Sequence, residues 1–203
     1  YKNNINGSKY LIETARKHNV NFVFLTSMSA HDKAESQYGK SKYIIENYLD
    51  ETKDLIIRPG LVIGKGGGLY NSMQDIINKT KIIPLIRNKK NIIQYIDINE
   101  LVKFIYYATE HQLKGKYTIA SQKGISMKEL YKAIAEKKNK KIFFMPINYS
   151  IANILLYISE LFHINLGIDR ENLKGLKKMT YYNTDKIEGF EFFSDIKTIL
   201  DKQ

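Results

Sequence analysis

Short apolar runs that alternate with amphipathic helical stretches constrain this chain more than any other feature. Phe22, Val23, Phe24 and Leu25 form a run of aromatic, aliphatic and β-branched residues. It reads as a strand buried on both faces, ending at Thr26 and Ser27. Gln37 to Leu49 then takes helical spacing, with Ile44, Ile45, Tyr48 and Leu49 on one face and Lys42 and Glu46 paired at i,i+4. Leu55 to Ile57 is a second short buried strand, Leu69 to Lys79 a helix, Ile92 to Ile96 a strand, Ile98 to His111 a helix and Lys116 to Ala120 a strand. Alternation of this kind from Phe22 to about Ala120 specifies a parallel sheet wound with helices, an α/β fold.

One of these junctions carries chemistry. Tyr38 and Lys42 stand at i and i+4, so they share a helix face about one turn apart and an ammonium can approach a phenol. A free tyrosine has a pKa of about 10 and is a poor base at neutral pH, whereas a nearby cation favours its phenolate. Reaching neutrality takes roughly 4 kcal/mol of differential stabilisation, to which a lysine beside a partly desolvated phenol and the positive ring of a bound cofactor both contribute. Ser27, at the carboxyl end of the preceding strand, is placed to hydrogen-bond a reacting oxygen; Ser29, two residues further into the loop, is its rival. The spacing Tyr-x-x-x-Lys alone is also met in tyrosines that only pack and lysines that are only solvated.

In this context the sequence resembles the short-chain dehydrogenase/reductase superfamily, in its extended and atypical, NAD-dependent epimerase/dehydratase-like branches. Asn4-Ile5-Asn6-Gly7-Ser8 is similar to the family's Asn-Val-Asn-Gly-Thr helix segment, Phe22 to Ser27 to its strand ending in the active-site serine, and Tyr38-Gly39-Lys40-Ser41-Lys42 to its Tyr-Gly-x-Ser-Lys box. Arg58-Pro59-Gly60-Leu61-Val62-Ile63-Gly64 resembles its Arg-Pro-x-x-Val-x-Gly turn, and Tyr95 to Glu100 its strand-to-helix junction. The matches fall in the family's order and span most of the chain.

The resemblance implies a Rossmann-like doubly wound parallel sheet and a smaller carboxyl-terminal α/β substrate lobe. Residues 1–120 would form part of the NAD(P)-binding domain, with a substrate-lobe insertion around 64–94, and residues 121–203 the lobe. By the same resemblance Tyr38 is the acid/base, Lys42 lowers its pKa and holds the nicotinamide ribose, Ser27 orients the reacting group and Asn4 joins them. Pro59 and Val62 flank the nicotinamide of an NAD or NADP cofactor. The expected activity is that of an oxidoreductase or nucleotide-sugar epimerase/dehydratase; the alternative is a structural or sensor protein that keeps the fold and the nucleotide without turnover. A small-molecule substrate is the expected partner, and a homodimer is left open.

The sequence holds no Gly-x-Gly-x-x-Gly after a strand near its amino end, the turn that binds a dinucleotide pyrophosphate. The expectation is therefore an amino-terminally truncated sheet lacking its first strands, and a piece that on its own neither binds NAD(P) measurably nor turns over, and tends to aggregate. Gly64-Lys65-Gly66-Gly67-Gly68 fits neither phosphate fingerprint and reads as a flexible loop.

Composition narrows the rest. The 203 residues contain no cysteine, which excludes disulfides and thiolate metal sites and suits a reducing cytoplasm. The net charge of +11 suggests nucleic acid, but the lysines are scattered over every element and arginine occurs only at Arg16, Arg58, Arg87 and Arg170. Nucleic acid is therefore not the expected partner. Arg87, in the loop after Pro84, and Arg170, opening a tail helix, are the candidates for gripping a substrate diphosphate, with two solvated surface arginines as the other reading. The histidines His18, His31, His111 and His163 are too dispersed to suggest a metal site. Asp97 with Glu100, and Ser126 with Glu129, read as helix capping boxes. In the tail, Ile151, Ile154, Leu155, Ile158, Leu161 and Phe162 make an apolar stripe too short to span a bilayer, and Asn172 to Met179 suggests one more helix. A stripe of this kind is usually core or a packing face, and by the resemblance the tail builds the lid over the substrate.

Overall fold

The computed structural model describes residues 2–66, 68–87, 92–163, 168–177, 181–187, 190 and 195–203. Helix α1 (Lys2–Lys17) leads to β1 (Val23–Leu25), α2 (Gln37–Glu46), β2 (Leu55–Pro59) and β3 (Leu61–Ile63). Then come α3 (Gly68–Lys79), β4 (Ile82–Ile86), β5 (Ile92–Ile93), β6 (Tyr95–Asp97), α4 (Ile98–Glu110) and β7 (Gly115–Ile119). The chain closes with β8 (Ile125–Ser126), α5 (Met127–Lys137), β9 (Phe143–Ile147), α6 (Tyr149–Leu161), α7 (Arg170–Lys177) and α8 (Ile196–Asp201).

The alternation read from the sequence is a parallel α/β arrangement. Strands β1, β2 and β7 form one parallel sheet in the order β1-β2-β7, with Phe24 opposite Ile56 and Ile57 opposite Tyr117. A second parallel pair, β3 and β6, continues from it, and a third, β4 and β9, joins the stretch after α3 to the carboxyl-terminal half. Ile56, Ile57 and Ile119 are fully buried. Each such side chain contributes about 1.5–3 kcal/mol relative to exposure, which is why β2 anchors the sheet. Phe104 of α4 packs over β2 and β7 with Leu55, Ile57 and Ile119.

Four local readings change. Helix α1 begins at Lys2 rather than near Lys9, because Ile5 and Ile12 pack against Phe24 and Ile45, and Gly7 meets nothing that forbids a helix. Strand β1 buries only Phe24, while Val23 and Leu25 are 44% and 42% exposed, since β2 is its one partner among the described residues. Pro84 does not break a patch but lies within β4, opposite Met145. Among the described residues this strand pairs on one side only, where a missing N–H is tolerated. The apolar stripe of α6 faces outward: Ile151, Ile154, Leu155, Ile158, Leu161 and Phe162 are exposed, and Ala152, Leu156 and Ser159 are buried instead. The last helix expected in the tail is α7, and residues 178–179 of that reading lie outside the described residues.

Both expected caps form, and the reciprocal box is the one at Ser126. Asp97 accepts from the Asn99 amide at 2.7 Å at the start of α4, and Ser126 and Glu129 make the reciprocal capping box of α5.

Tyr131 of α5 is buried in the largest apolar cluster, with Met73, Ile83, Leu130 and Ile134, and burial pushes its phenol up to about 12. A folded-state value above the unfolded one, about 10, means stability that is complete below pH 10 and lost as pH rises through the folded value. Ionising Tyr131 therefore removes roughly 2–3 kcal/mol between pH 10 and 12. Urea unfolding at pH 8 and pH 11.5 measures it. The alkaline loss should be smaller in Tyr131→Phe than in the parent, and equal losses would contradict the assignment.

Candidate active site

The site assembles where β1 ends. Pairing continues past the strand, since the Thr26 amide donates to Ile57 O at 2.8 Å and the Met28 amide to Pro59 O at 3.1 Å. These bonds carry Ser27 to the carboxyl end of the sheet, where open α/β sheets place ligands. Ser27 is half-buried, its Oγ lies 2.9 Å from Ser29 Oγ, and it accepts from the Ser29 amide at 3.1 Å. The two rival serines therefore form one hydrogen-bonded unit.

Helix α2 docks on this loop through a glycine. Ser36 caps it by accepting from the Gly39 amide at 3.1 Å. A Cβ on Gly39 would stand 2.4 Å from Ser29 O and 3.0 Å from Ala34 Cβ, so only glycine permits the approach. That approach brings Tyr38 to Ser27. Alanine should raise helix propensity by about 1 kcal/mol, yet we expect Gly39→Ala to destabilise by about 1–3 kcal/mol net, because the obstacle is backbone. Urea unfolding decides the sign, and a stabilised variant would contradict the close approach.

Tyr38 and Lys42 share a face of α2 as their spacing requires. The Lys42 ammonium donates to Leu25 O at 2.9 Å and lies 4.7 Å from the Phe24 ring centroid and 5.9 Å from that of Tyr38. Burial lowers the Lys42 pKa, and Glu46 opposes this. Burial raises the Tyr38 phenol above its ordinary value, and a hydrogen bond with Ser27 pulls it down. Tyr38 nevertheless keeps 54% of its surface exposed, so the protein mass around the phenol, and not full exclusion of water, sets that direction. In the chain by itself burial outweighs Ser27 at the phenol, and one donor of the Lys42 ammonium is used by Leu25 O.

The Lys42–Glu46 pair read from the spacing gives way to a stronger one. Glu46 is 4% exposed, forms a two-oxygen ion pair with Arg58, and accepts from Thr26 Oγ1 at 2.7 Å. This carboxylate ties α2, β2 and the start of the Ser27 loop together. Sequence reading missed it; the available signal was an arginine at a strand end in a chain that otherwise uses lysine. Arg16 and the fully buried Asp54 make a comparable clasp, in which Asp54 also accepts from the Phe22 and Asp50 amides at 2.9 and 2.8 Å. These contacts hold Asp54 below the ordinary carboxylate range, against the burial that raises it.

The other candidates are dispersed. Pro59 is buried at the end of β2, and Val62 is half-buried in β3 opposite Ile96. A Cβ on Gly60 between them would stand 2.5 Å from Gln94 O, so that turn is also closely packed. Asn4 is exposed on α1 and makes no side-chain hydrogen bond to Ser27, Tyr38 or Lys42 among the described residues. Arg87 is exposed just beyond β4, where its amide donates to Ile147 O at 3.0 Å. Arg170 opens α7 and is engaged within the tail: its Nε donates to Asn153 Oδ1 at 3.1 Å, and its guanidinium lies 5.2 Å from the Tyr157 ring.

A parallel α/β sheet that ends one strand in a serine and follows it with a helix bearing tyrosine and lysine one turn apart has the short-chain dehydrogenase/reductase architecture. Residues 1–157 match the family described as polysaccharide biosynthesis protein, and the chain belongs to that family. No curated protein sequence matches it. Among solved structures it is similar to dTDP-4-dehydrorhamnose reductase from Yersinia enterocolitica, with 21% identity and a TM-score of 0.57 over 71% of this chain and 57% of that one. It is also similar to UDP-glucose 4-epimerase from Thermus thermophilus in complex with NAD, with 19% identity and a TM-score of 0.57 over 71% and 57%. Pal from Bacillus thuringiensis aligns over 97% of this chain and 65% of its own, with 17% identity and a TM-score of 0.66. The chain thus spans little more than half the length of the reductase and the epimerase.

Proposed function

We propose that this chain carries the proton-transfer residues of an NAD(P)-dependent enzyme acting on a nucleotide-sugar, by reduction, epimerisation or dehydration. The observation that carries the reading is the joining of Ser27, Tyr38 and Lys42 at the carboxyl end of β1 through the Gly39 approach. Similarity to a UDP-glucose epimerase solved with NAD and to a reductase of a dTDP-linked sugar supports the cofactor and substrate class.

The residues present fit one end of such a cofactor. The Lys42 ammonium has three donors, of which one goes to Leu25 O, so others are available to ribose hydroxyls beside Tyr38. Pro59 and Val62 offer apolar walls for a nicotinamide. When bound, that group accepts or returns a hydride. Tyr38, held neutral by burial, gives a proton to a carbonyl oxygen of the substrate in the reductive direction and takes one from a hydroxyl in the other. Ser27, hydrogen-bonded to Ser29 and close enough to the Tyr38 phenol to pull its pKa down, orients that oxygen. Asn4 is proposed to support this group from α1, and Arg87 to meet an anionic end of the substrate, since its exposed guanidinium is a planar fork of donors. Arg170 would have to exchange Asn153 for the substrate.

We divide the chain into a cofactor-facing part, residues 1–120, and a substrate-facing part, residues 121–203 together with 64–94. The parallel pairing of β4 with β9 supports this division.

The second reading is a nucleotide-binding sensor without turnover, which the same fold and the same residues also allow. Incubating the complete protein with NAD and NADP, oxidised and reduced, against a panel of UDP- and dTDP-sugars separates the two. Turnover of any member supports the enzyme, and dinucleotide binding without turnover across the panel supports the sensor.

A further inference from the structure

A cavity of about 360 Å³ opens between α3, β4, α5, β9, α6 and α7, away from Ser27 and Lys42. That size lies at the lower end of ligand pockets. Its walls are hydrocarbon and thioether: Met73 and Ile76 from α3, Leu85 from β4, Ile147 from β9, Leu156 from α6 and Leu173 from α7. Among the described residues, polar side chains in the lining come from Thr80, Ser126, Lys128, Tyr131 and Asn172. Such a lining cannot satisfy the many acceptors of a sugar or a diphosphate, whose burial without partners is costly. An apolar lining of this kind favours apolar guests, whose burial removes hydrocarbon surface from water.

Two features say what kind of guest. Leu155 belongs both to the cavity wall and to the outward stripe of α6, where Ile151, Ile154, Ile158, Leu161 and Phe162 are 44–68% exposed. The apolar surface therefore runs without a break from the interior along roughly 16 Å of helix, which is longer than a compact ligand needs. The second feature is charge. Lys128 stands at the cavity, its ammonium 5.6 Å from the Phe144 ring centroid, and the exposed Lys79 and Lys81 flank the lining residue Thr80 in sequence. α7 closes the cavity with Leu173 and Leu176, and through Glu171 it accepts from the amide of Gln37, next to Tyr38. An occupant thus lies one helix from the proposed reacting residues.

We propose that this cavity binds the hydrocarbon chain of an anionic amphiphile, with the chain in the cavity and along α6 and the anionic head against Lys79, Lys81 and Lys128. The cavity lies within residues 64–94 and 121–203, the part proposed above to face the substrate, but the proposal does not depend on the chemistry assigned to Tyr38. Calorimetric titration of the complete protein with dodecyl phosphate, kept below its micelle concentration, tests it, with dodecyl maltoside and inorganic phosphate as separate arms. Saturable binding of dodecyl phosphate is expected, at least tenfold tighter than dodecyl maltoside, with none of inorganic phosphate. Absence of saturable binding would overturn the site, equal affinity for the maltoside would overturn the anionic head, and equal affinity for inorganic phosphate would overturn the role of the chain. Ala152→Phe, which fills the cavity, and Leu155→Glu, which places a carboxylate at its mouth, should each weaken dodecyl phosphate at least tenfold. Leu155 is 49% exposed, so Leu155→Glu should keep the parent's melting temperature and decides the matter should Ala152→Phe fail to fold. Unchanged binding by Leu155→Glu would overturn the proposal.

Discussion

Arg58→Leu should destabilise the protein by about 3–5 kcal/mol, the cost of leaving a buried charge without its partner. Glu46 keeps 2% of its side-chain surface in solvent, and apart from Arg58 its hydrogen-bond support among the described residues is one hydroxyl, that of Thr26. The effect should be carried by the orphaned carboxylate, not by lost attraction. Glu46→Leu together with Arg58→Leu should therefore recover most of the loss, since apolar replacement of a buried pair is often neutral or better. In a chain of this length, 1 kcal/mol moves the melting temperature by roughly 2–4 °C, so the single variant should melt at least 6 °C lower. Thermal melting of parent, single and double variants reads this directly. A single variant within 2 °C of the parent would show that Arg58 is not what holds Glu46.

Tyr38→Phe should lower the turnover of the complete protein by about 10²–10⁴, the usual contribution of a positioned acid or base. It removes one oxygen and leaves the ring, so the melting temperature should not change: the phenol lies on an exposed residue and its partner Ser27 retains Ser29. Loss confined to the turnover number, with the Michaelis constant near that of the parent, is the signature of a group used in the reaction step. Unchanged turnover would remove Tyr38 from the chemistry whatever the cofactor.

The parts of this molecule written in local pattern were legible in the sequence. The strand runs at Phe22 and Leu55, the caps at Asp97 and Ser126 and the i,i+4 placement of Tyr38 and Lys42 depend on neighbours within a turn or two, and the structure reproduces them. Partnerships over long sequence separation were not legible. Lys42 and Arg58 are both cations within reach of Glu46, and spacing alone favoured the nearer one; burial against β2 favours the arginine, whose planar fork matches a carboxylate. The tail misled for a similar reason. Its stripe has the periodicity of a core face, but periodicity shows only that one side is apolar and not that anything covers it. The contact of the Lys42 ammonium with Leu25 O, 17 residues away in the chain, was likewise not legible from spacing.

The central claim, that Tyr38 is the proton-transfer group beside a nicotinamide, is tested most directly by the pH dependence of hydride transfer in the complete protein, followed by the absorbance of the reduced cofactor at saturating dinucleotide. In the oxidative direction the phenolate is the active form, so the rate should rise with pH. Its midpoint should lie below the free tyrosine value of about 10, because a bound cation opposes the burial that raises the phenol in the chain alone. In the reductive direction the rate should fall through the same midpoint, and Tyr38→Phe should abolish the ionisation in both. The same midpoint persisting in Tyr38→Phe would contradict the account and assign the proton to another group.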